Sequence, residues 1–352
     1  MIERYNPMAV VGAGSWGTTL AQLLADKGYR VDLWVFEPEL ADQISATGEN
    51  GYYLPGVRLS ANIRASNDLA AVVGGHPMVV MVVPSHVYRS VAAKMVALLQ
   101  PRAIVVTATK GIENDTLLTM TGIWEQLLPA SSGIALAPLA GPSFAKEVVR
   151  KVPTAVTVAA TDLAVAQQVQ QVFHTKYFRV YTSLDKIGVE LAGPLKNVIA
   201  LAAGACDGLG FGHNTRAALI TRGLAEISRL GVRLGAHPLT FAGLSGVGDL
   251  VLTCTGDLSR NRGVGYQLGQ GRKLEEILAD MRMVAEGVKT ARSVYHLAAK
   301  LGVEMPICEQ VYRVLYEQKN PRTAVRELME RGLKHEMEFD DAAGRSGAVL
   351  GQ

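Results

Sequence analysis

Cysteine occurs only three times in 352 residues, at Cys206, Cys254 and Cys308. The number is odd, the spacing wide and CxxC absent, which excludes a disulfide framework and a cysteine-built zinc site and fits a reduced compartment. Aromatic residues make up 6% of the chain and charged residues 19%. No run of Lys and Arg is interleaved with aromatics, so a nucleic-acid groove or polybasic membrane patch has no support. The formal net charge is only +3, and any anionic ligand has to be met by a local cluster. None of the seven histidines shows HxxxH or similar ligand spacing, so no metal is expected; His86 and His213 read as structural or solvent-facing residues in turns. The N-terminal MIERYNPMAVVG lacks the pattern of a secretory leader, and the longest apolar runs are broken by Gly, Pro or Lys before spanning length. The expectation is a cytoplasmic protein without stable membrane insertion.

What the chain has is Ala, Val, Leu and Gly. At 49% hydrophobic residues it can bury a substantial core, and its length suits two domains. Short β-branched runs alternate with helical patterns in the first half, as in βαβ units of a parallel sheet. Strands are expected at 8–11, 31–36, 78–83, 103–108, 134–140, 155–159 and 178–181; continuously apolar ones such as MVVMVV suit strands covered on both faces. After about Gly188 helical periodicity takes over, with Leu219, Leu224, Ile227 and Leu230 on one face. The fold class expected is α/β: a Rossmann-like, doubly wound, mostly parallel sheet over 1–188, then an all-α substrate-binding unit over 189–340. Residues 341–352, small and polar, are expected to form a flexible tail.

In MAVVGAGSWGTTLAQLLADKG, Gly12, Gly14 and Gly17 form GxGxxG between a strand and a helix. Gly12 permits a tight turn, Gly14 lets backbone approach a pyrophosphate, and Gly17 allows close helix–strand packing, while the helix start offers free N–H groups. Twenty residues past Gly17, Glu37 in LWVFEPE stands where an acid hydrogen-bonds an adenosine ribose 2′-hydroxyl, unless it merely starts the next helix. No Arg or Lys between Trp34 and Glu39 would welcome a 2′-phosphate, so NAD is favoured over NADP.

Lys110 follows the strand AIVVTATKG, whose end opens onto the ligand crevice of such a sheet. GPSFAKE repeats the strand-to-helix layout, with Ser143 as N-cap. Lys196 is the one formal charge in LAGPLKNVIALAAGA; such a lysine either snorkels to water or is desolvated, which lowers its pKa toward neutrality and suits it to proton transfer. Asn197, Asp249 and Thr253 are its candidate partners, with Asp249 and Thr253 one helical turn apart and an N-cap role open to Asp249. In TGDLSRNRGVG, Ser259 reads as an N-cap and Arg260 with Asn261 as the opening of a helix whose N-terminus can hold a phosphate.

Taken in order, GAGSWGTTLA, VVPSH, TKGIE, GPSFAKE, GPLKNVIALAAGACDGLGFGHNTRAALITRGLAE, GDLVLTC and SRNR resemble the NAD(P)-dependent glycerol-3-phosphate dehydrogenase family, over about residues 8–316. The resemblance implies reversible reduction of dihydroxyacetone phosphate to sn-glycerol 3-phosphate for glycerophospholipid synthesis, NAD or NADP as cofactor, and a homodimer. It implies Lys196 as proton donor and acceptor with Lys110 and Asp249 beside it. Ser259, Arg260, Asn261, Gly141 and Ser143 would serve the substrate, Arg260 also reaching the cofactor. Ser15, Trp16, Phe36, Ala145, Val284 and Glu286 would touch the dinucleotide. Bacterial relatives commonly carry Gly and then His or Arg after the LW pair; Val35, Phe36 and Glu37 depart from that and lean to NAD. The rival readings are a β-hydroxyacid-type dehydrogenase, whose GxxxKxxxN spacing is not matched around Lys196, and a dinucleotide sensor that has lost catalysis.

Overall fold

The computed structural model describes residues 3–336 apart from 282 and 334; the tail expected at 341–352 lies outside them. Eight strands form one sheet: β1 Met8–Val11, β2 Val31–Trp34, β3 Ile63–Ser66, β4 Met78–Met81, β5 Ile104–Thr107, β6 Ala135–Ala140, β7 Thr154–Ala159 and β8 Phe178–Ser183. Their order is β3-β2-β1-β4-β5-β6-β7-β8. The first six are parallel; β7 runs antiparallel to β6, and β8 parallel to β7. The 3-2-1-4-5-6 order is that of a dinucleotide-binding sheet, whose ligand crevice lies where the order reverses, beyond the C-terminal ends of β1 and β4.

The expected strands exist: β1 keeps its expected bounds, β2, β4, β5 and β6 are shorter than expected, β7 and β8 are longer, and one strand, β3, was missed. IRAS of β3 has a single β-branched residue and none of its side chains is fully buried; it becomes a strand by pairing its whole length with β2 at the sheet edge. β2 stops at Trp34, two residues before the expected end, because the chain turns into a helix that begins with Pro38. Pro138 has no N–H to give a ladder, and it sits where β6 passes from its pairing with β5, over residues 135–138, to its pairing with β7 at Leu139 and Ala140.

Helices α1 Ser15–Asp26, α2 Pro38–Thr47, α3 Leu69–Val73, α4 Ser85–Met95, α5 Met120–Leu127, α6 Ala145–Val148 and α7 Leu163–Phe173 link the strands. Alternate strand residues point to opposite faces, so the central strands β1, β4 and β5 feed two cores. Val10, Leu33, Val80 and Val106 pack with Leu20 and Leu24 of α1 and Phe173 of α7. Val11, Val79, Met81 and Val105 pack with Tyr88 and Met95 of α4 and Trp124 of α5.

The remainder is helical: α8 Lys186–Gly208, α9 His213–Arg233, α10 Pro238–Phe241, α11 Asp249–Thr255, α12 Arg260–Gly269, α13 Leu274–Ala279, α14 Glu286–Leu301, α15 Pro306–Tyr316 and α16 Pro321–Met329. Helix α8 is its axis, with Leu191, Leu195, Val198 and Ile199 in the core. It runs 23 residues straight through Gly193, Pro194 and Lys196, long and apolar enough to cross a membrane by composition. The expected interruption by Gly, Pro and Lys is therefore corrected; 89% of its apolar window is buried by this protein's own helices. His86 and His213 lie within the first turns of α4 and α9 rather than in turns between elements.

Helices α8 and α12 meet backbone to backbone. A Cβ on Gly204 would come within 1.9 Å of Arg262 O, and one on Gly265 within 2.0 Å of Leu201 O. Gly208 and Gly269 repeat the contact one turn on. Glycines four apart on both helices thus let α12 lie directly on α8, which fixes where its N-terminus points.

Candidate active site

Lys196 does not snorkel. Its side chain is 6% exposed, and Nζ donates to Asp249 Oδ1 at 2.7 Å and to the Thr253 hydroxyl. Asp249 and Thr253 are one turn apart on α11, as their spacing indicated, and Thr253 Oγ1 donates back to Asp249 O at 2.7 Å. The second oxygen, Asp249 Oδ2, accepts from Lys110 Nζ at 2.7 Å. One buried carboxylate therefore bridges two ammonium groups. Asp249 is not an N-cap: Gly248 holds that position, and a single π-turn over residues 244–248 runs directly into α11.

Burial pushes the Lys196 ammonium down to about 8; the Asp249 charge opposes this and the Lys110 charge adds to it. The ordering is physical, since desolvation of a nearly water-free cation outweighs one shared carboxylate. Lys110 is partly open at 23% exposure. Its methylenes cross Gly193 of α8, where a Cβ would stand 3.1 Å from Lys110 Cγ. Sequence reasoning gave Gly193 no part in the site, because α8 holds three further glycines, Gly188, Gly204 and Gly208, and nothing in the sequence sets the one beneath Lys110 apart.

The glycine-rich turn has the shape its spacing demanded. Gly12 has φ +113°, and a Cβ there would meet Val82 backbone at 2.9 Å. One on Gly17 would strike Gly12 O at 1.8 Å, whereas one on Gly14 meets nothing within 4 Å. Gly14 is the N-cap of α1 and gives no side-chain cap, so the first-turn N–H groups have no acceptor among the described residues, a fit to a pyrophosphate. Phe36, 74% exposed, stands past the end of β2 with its ring edge-on to Trp34. Glu37 is the N-cap of α2 without a capping bond from its carboxylate; Tyr53 Oη donates to it at 3.0 Å. Trp16 packs partly buried on the sheet core, and Ala145 O accepts a long 3.4 Å bond from Thr19, bringing α6 beside α1.

Ser143 is not an N-cap. Its hydroxyl donates to Gly141 O at 3.0 Å, and α6, one turn long, starts after Phe144 without a side-chain cap. The local turn satisfies the hydroxyl first. Gly141 has φ +144° and a Cβ there would sit 2.9 Å from Val156 Cα.

At the other end, Ser259 is the N-cap of α12, accepting from Arg262 N at 3.2 Å. Arg260 Nη1 donates to Val284 O at 2.8 Å, and Asn261 Oδ1 accepts from Gly287 N at 2.9 Å. Gly287 has no room for a side chain: a Cβ would lie 2.7 Å from Asn261 Oδ1 and 2.8 Å from Asn197 O. Asn197 itself is 5% exposed and its amide makes no hydrogen bond to the described residues. Glu286, on the first turn of α14, accepts from Ser85 N at 3.3 Å and from the Ser85 hydroxyl, so it caps α4 across the gap between sheet and helices. Among the described residues no group of three or more His, Cys, Asp or Glu is placed to hold a metal.

Comparison with known proteins identifies the family. The N-terminal and C-terminal profiles of NAD-dependent glycerol-3-phosphate dehydrogenase match residues 7–166 and 185–326. The chain is 68% identical to a glycerol-3-phosphate dehydrogenase [NAD(P)+] of Syntrophobacter fumaroxidans, over 95% of this chain and 98% of the relative. The crystal structure of glycerol-3-phosphate dehydrogenase from Coxiella burnetii matches with a TM-score of 0.88 at 41% identity, covering 93% of this chain and 99% of that one. That from Saccharomyces cerevisiae matches at 0.79 and 28%, over 93% and 99%. The chain belongs to the NAD-dependent glycerol-3-phosphate dehydrogenase family.

Proposed function

We propose that this protein catalyses the reversible NAD(P)-dependent reduction of dihydroxyacetone phosphate to sn-glycerol 3-phosphate, with Lys196 as the proton donor and acceptor. The observation that carries the assignment of roles is the Asp249 carboxylate bridging Lys196 and Lys110. When bound, the dihydronicotinamide supplies a hydride to the carbonyl carbon. The protein's task is then to stabilise and protonate the oxygen at C2. Lys196 Nζ gives that oxygen its proton, and Asp249 with Thr253 aims the ammonium. Lys110, held by the other carboxylate oxygen, adds positive charge beside the developing alkoxide. The α12 N-terminus, with Ser259, Arg260 and Asn261, holds the substrate phosphate, and Asn197, Gly141 and Ser143 line the approach. Fixing the phosphate at one end and the carbonyl oxygen at the other converts binding into orientation.

In this reading the dinucleotide-binding unit ends near residue 188 and the substrate unit runs from 189 to about 340. The active species is a cytoplasmic homodimer that feeds glycerophospholipid synthesis, and Glu37 makes NAD the preferred cofactor. The test is oxidation of NADH and of NADPH by the purified protein with dihydroxyacetone phosphate, side by side. Turnover with this substrate and a higher kcat/KM for NADH is expected. Turnover with neither cofactor would return the chain to the class of dinucleotide sensors.

A further inference from the structure

The loop that follows α2 is tied to both halves of the proposed dinucleotide site. Asn50 is fully buried; its Nδ2 donates to Ala13 O and to Thr18 Oγ1, each at 2.8 Å, and its Oδ1 accepts from Tyr53 N at 3.0 Å. Ser15 Oγ, at the start of α1, donates to Tyr53 O at 2.6 Å. Tyr53 is thus fastened by its own backbone to the glycine-rich turn, and its ring packs partly buried on the sheet core. From that anchored position Tyr53 Oη reaches Glu37 Oε1 at 3.0 Å. The other carboxylate oxygen of Glu37 has no hydrogen-bond partner among the described residues, and no described cation pairs with it.

A carboxylate on a three-bond side chain at a helix start samples several rotamers unless something holds it. Here a neutral donor holds one oxygen without cancelling the charge. We propose that Tyr53 is the positioning residue for cofactor choice: it fixes Glu37 so that the second oxygen accepts from a ribose 2′-hydroxyl and the carboxylate repels a 2′-phosphate. Burial and the Glu37 charge push the Tyr53 phenol up to about 12, so it remains a donor throughout the working range. The Ser15 bond sets this acidic arm at a fixed reach from the turn that would carry the pyrophosphate. Ser15 then acts through its hydroxyl as a strut, while its backbone N–H stays available to the phosphate.

The inference rests on the dinucleotide reading but not on turnover, and its test needs no substrate. Dissociation constants for NADH and NADPH are measured by quenching of protein fluorescence for the wild type, Tyr53→Phe, Glu37→Gln and the double variant. Tyr53→Phe is expected to weaken NADH by about five- to tenfold, the loss of a hydrogen bond to a charged group, and to leave NADPH within about twofold. In the Glu37→Gln background the same change should no longer move the NADH/NADPH ratio. Equal weakening of both cofactors by Tyr53→Phe, or an undiminished effect in the Gln background, assigns Tyr53 to packing and overturns the proposal. Should Tyr53→Phe not fold, Glu37→Gln decides: an unchanged ratio, or a wild type that binds NADPH more tightly, also overturns it. A wild type that binds neither dinucleotide removes the site reading as a whole, whereas a wild type that binds NADH but does not turn over leaves this inference standing.

Discussion

Lys196 keeps its charge in a setting that works against it. Burial brings its ammonium to about 8, and the sign of the consequence differs with the direction of reaction. Reduction needs the protonated form, so kcat/KM for dihydroxyacetone phosphate should fall as pH rises through about 8. Oxidation of glycerol 3-phosphate needs the free amine and should rise through the same pH. Asp249→Asn removes the charge that favours the ammonium and should move both limbs to lower pH. Lys196→Met should cost at least about a hundredfold in turnover while leaving NADH affinity within twofold. pH-rate profiles of these variants are the check, and a profile in Asp249→Asn that does not move would remove the carboxylate from control of Lys196. The lone charge in an apolar run was visible in the sequence, as was the Asp249–Thr253 spacing. That Asp249 would be shared with Lys110, 139 residues away, was not, because only the folded chain brings α8, α11 and the end of β5 together.

Among elements, the legible ones carry their own periodicity. Strands β1, β4 and β5 are continuously apolar because helices cover both faces, and GxGxxG announced the start of α1. Strand β3 and the loop bearing Asn50 and Tyr53 had no such signal: one forms by edge pairing, the other by bonds to a turn far away in sequence. The pairing of α8 with α12 is intermediate, since glycines four apart were present but their partner helix was not identifiable. It places the α12 N-terminus, and this gives a prediction. Gly265→Ala would drive a Cβ into Leu201 O and force the helices apart, at a cost of about 1–3 kcal/mol for overpacking. The shift carries Ser259, Arg260 and Asn261 with it. A lower Tm together with a KM for dihydroxyacetone phosphate raised at least about threefold and unchanged NADH affinity is expected. A variant that loses stability with no change in substrate KM would show that α12 does not hold the phosphate.

Across the whole molecule, the sheet and the helices are stitched by bonds between residues far apart in sequence. Lys110 joins Asp249, Ser85 joins Glu286, Thr121 joins Glu190, and Ser293 Oγ lies 2.8 Å from Ile112 O and 2.6 Å from Asn114 Oδ1. Motif order announced the two halves, but none of these stitches except the Lys110 end had a sequence signal. The helical half adds Glu226, fully buried on α9, which accepts from Ile307 N at 2.6 Å and Cys308 N at 3.1 Å and so caps α15. Burial pushes the Glu226 carboxyl up to about 7 despite those two donors. A carboxyl raised in the folded state binds protons that the unfolded chain releases, so this residue makes stability fall as pH rises from about 4.5 to about 7. Lys196, lowered to about 8, makes stability rise as pH goes from about 8 to about 10.5, because there the unfolded chain holds the proton that the folded one has lost. Both costs are fully present between about 7 and 8. Glu226→Gln should therefore gain on the wild type as pH rises from 5 to 7.5 and hold a constant offset above that. Lys196→Met should lose its relative advantage between pH 8 and 10.5. Melting curves of the three proteins across that range read the two groups separately, and curves that stay parallel to the wild type would mean that neither group titrates with folding.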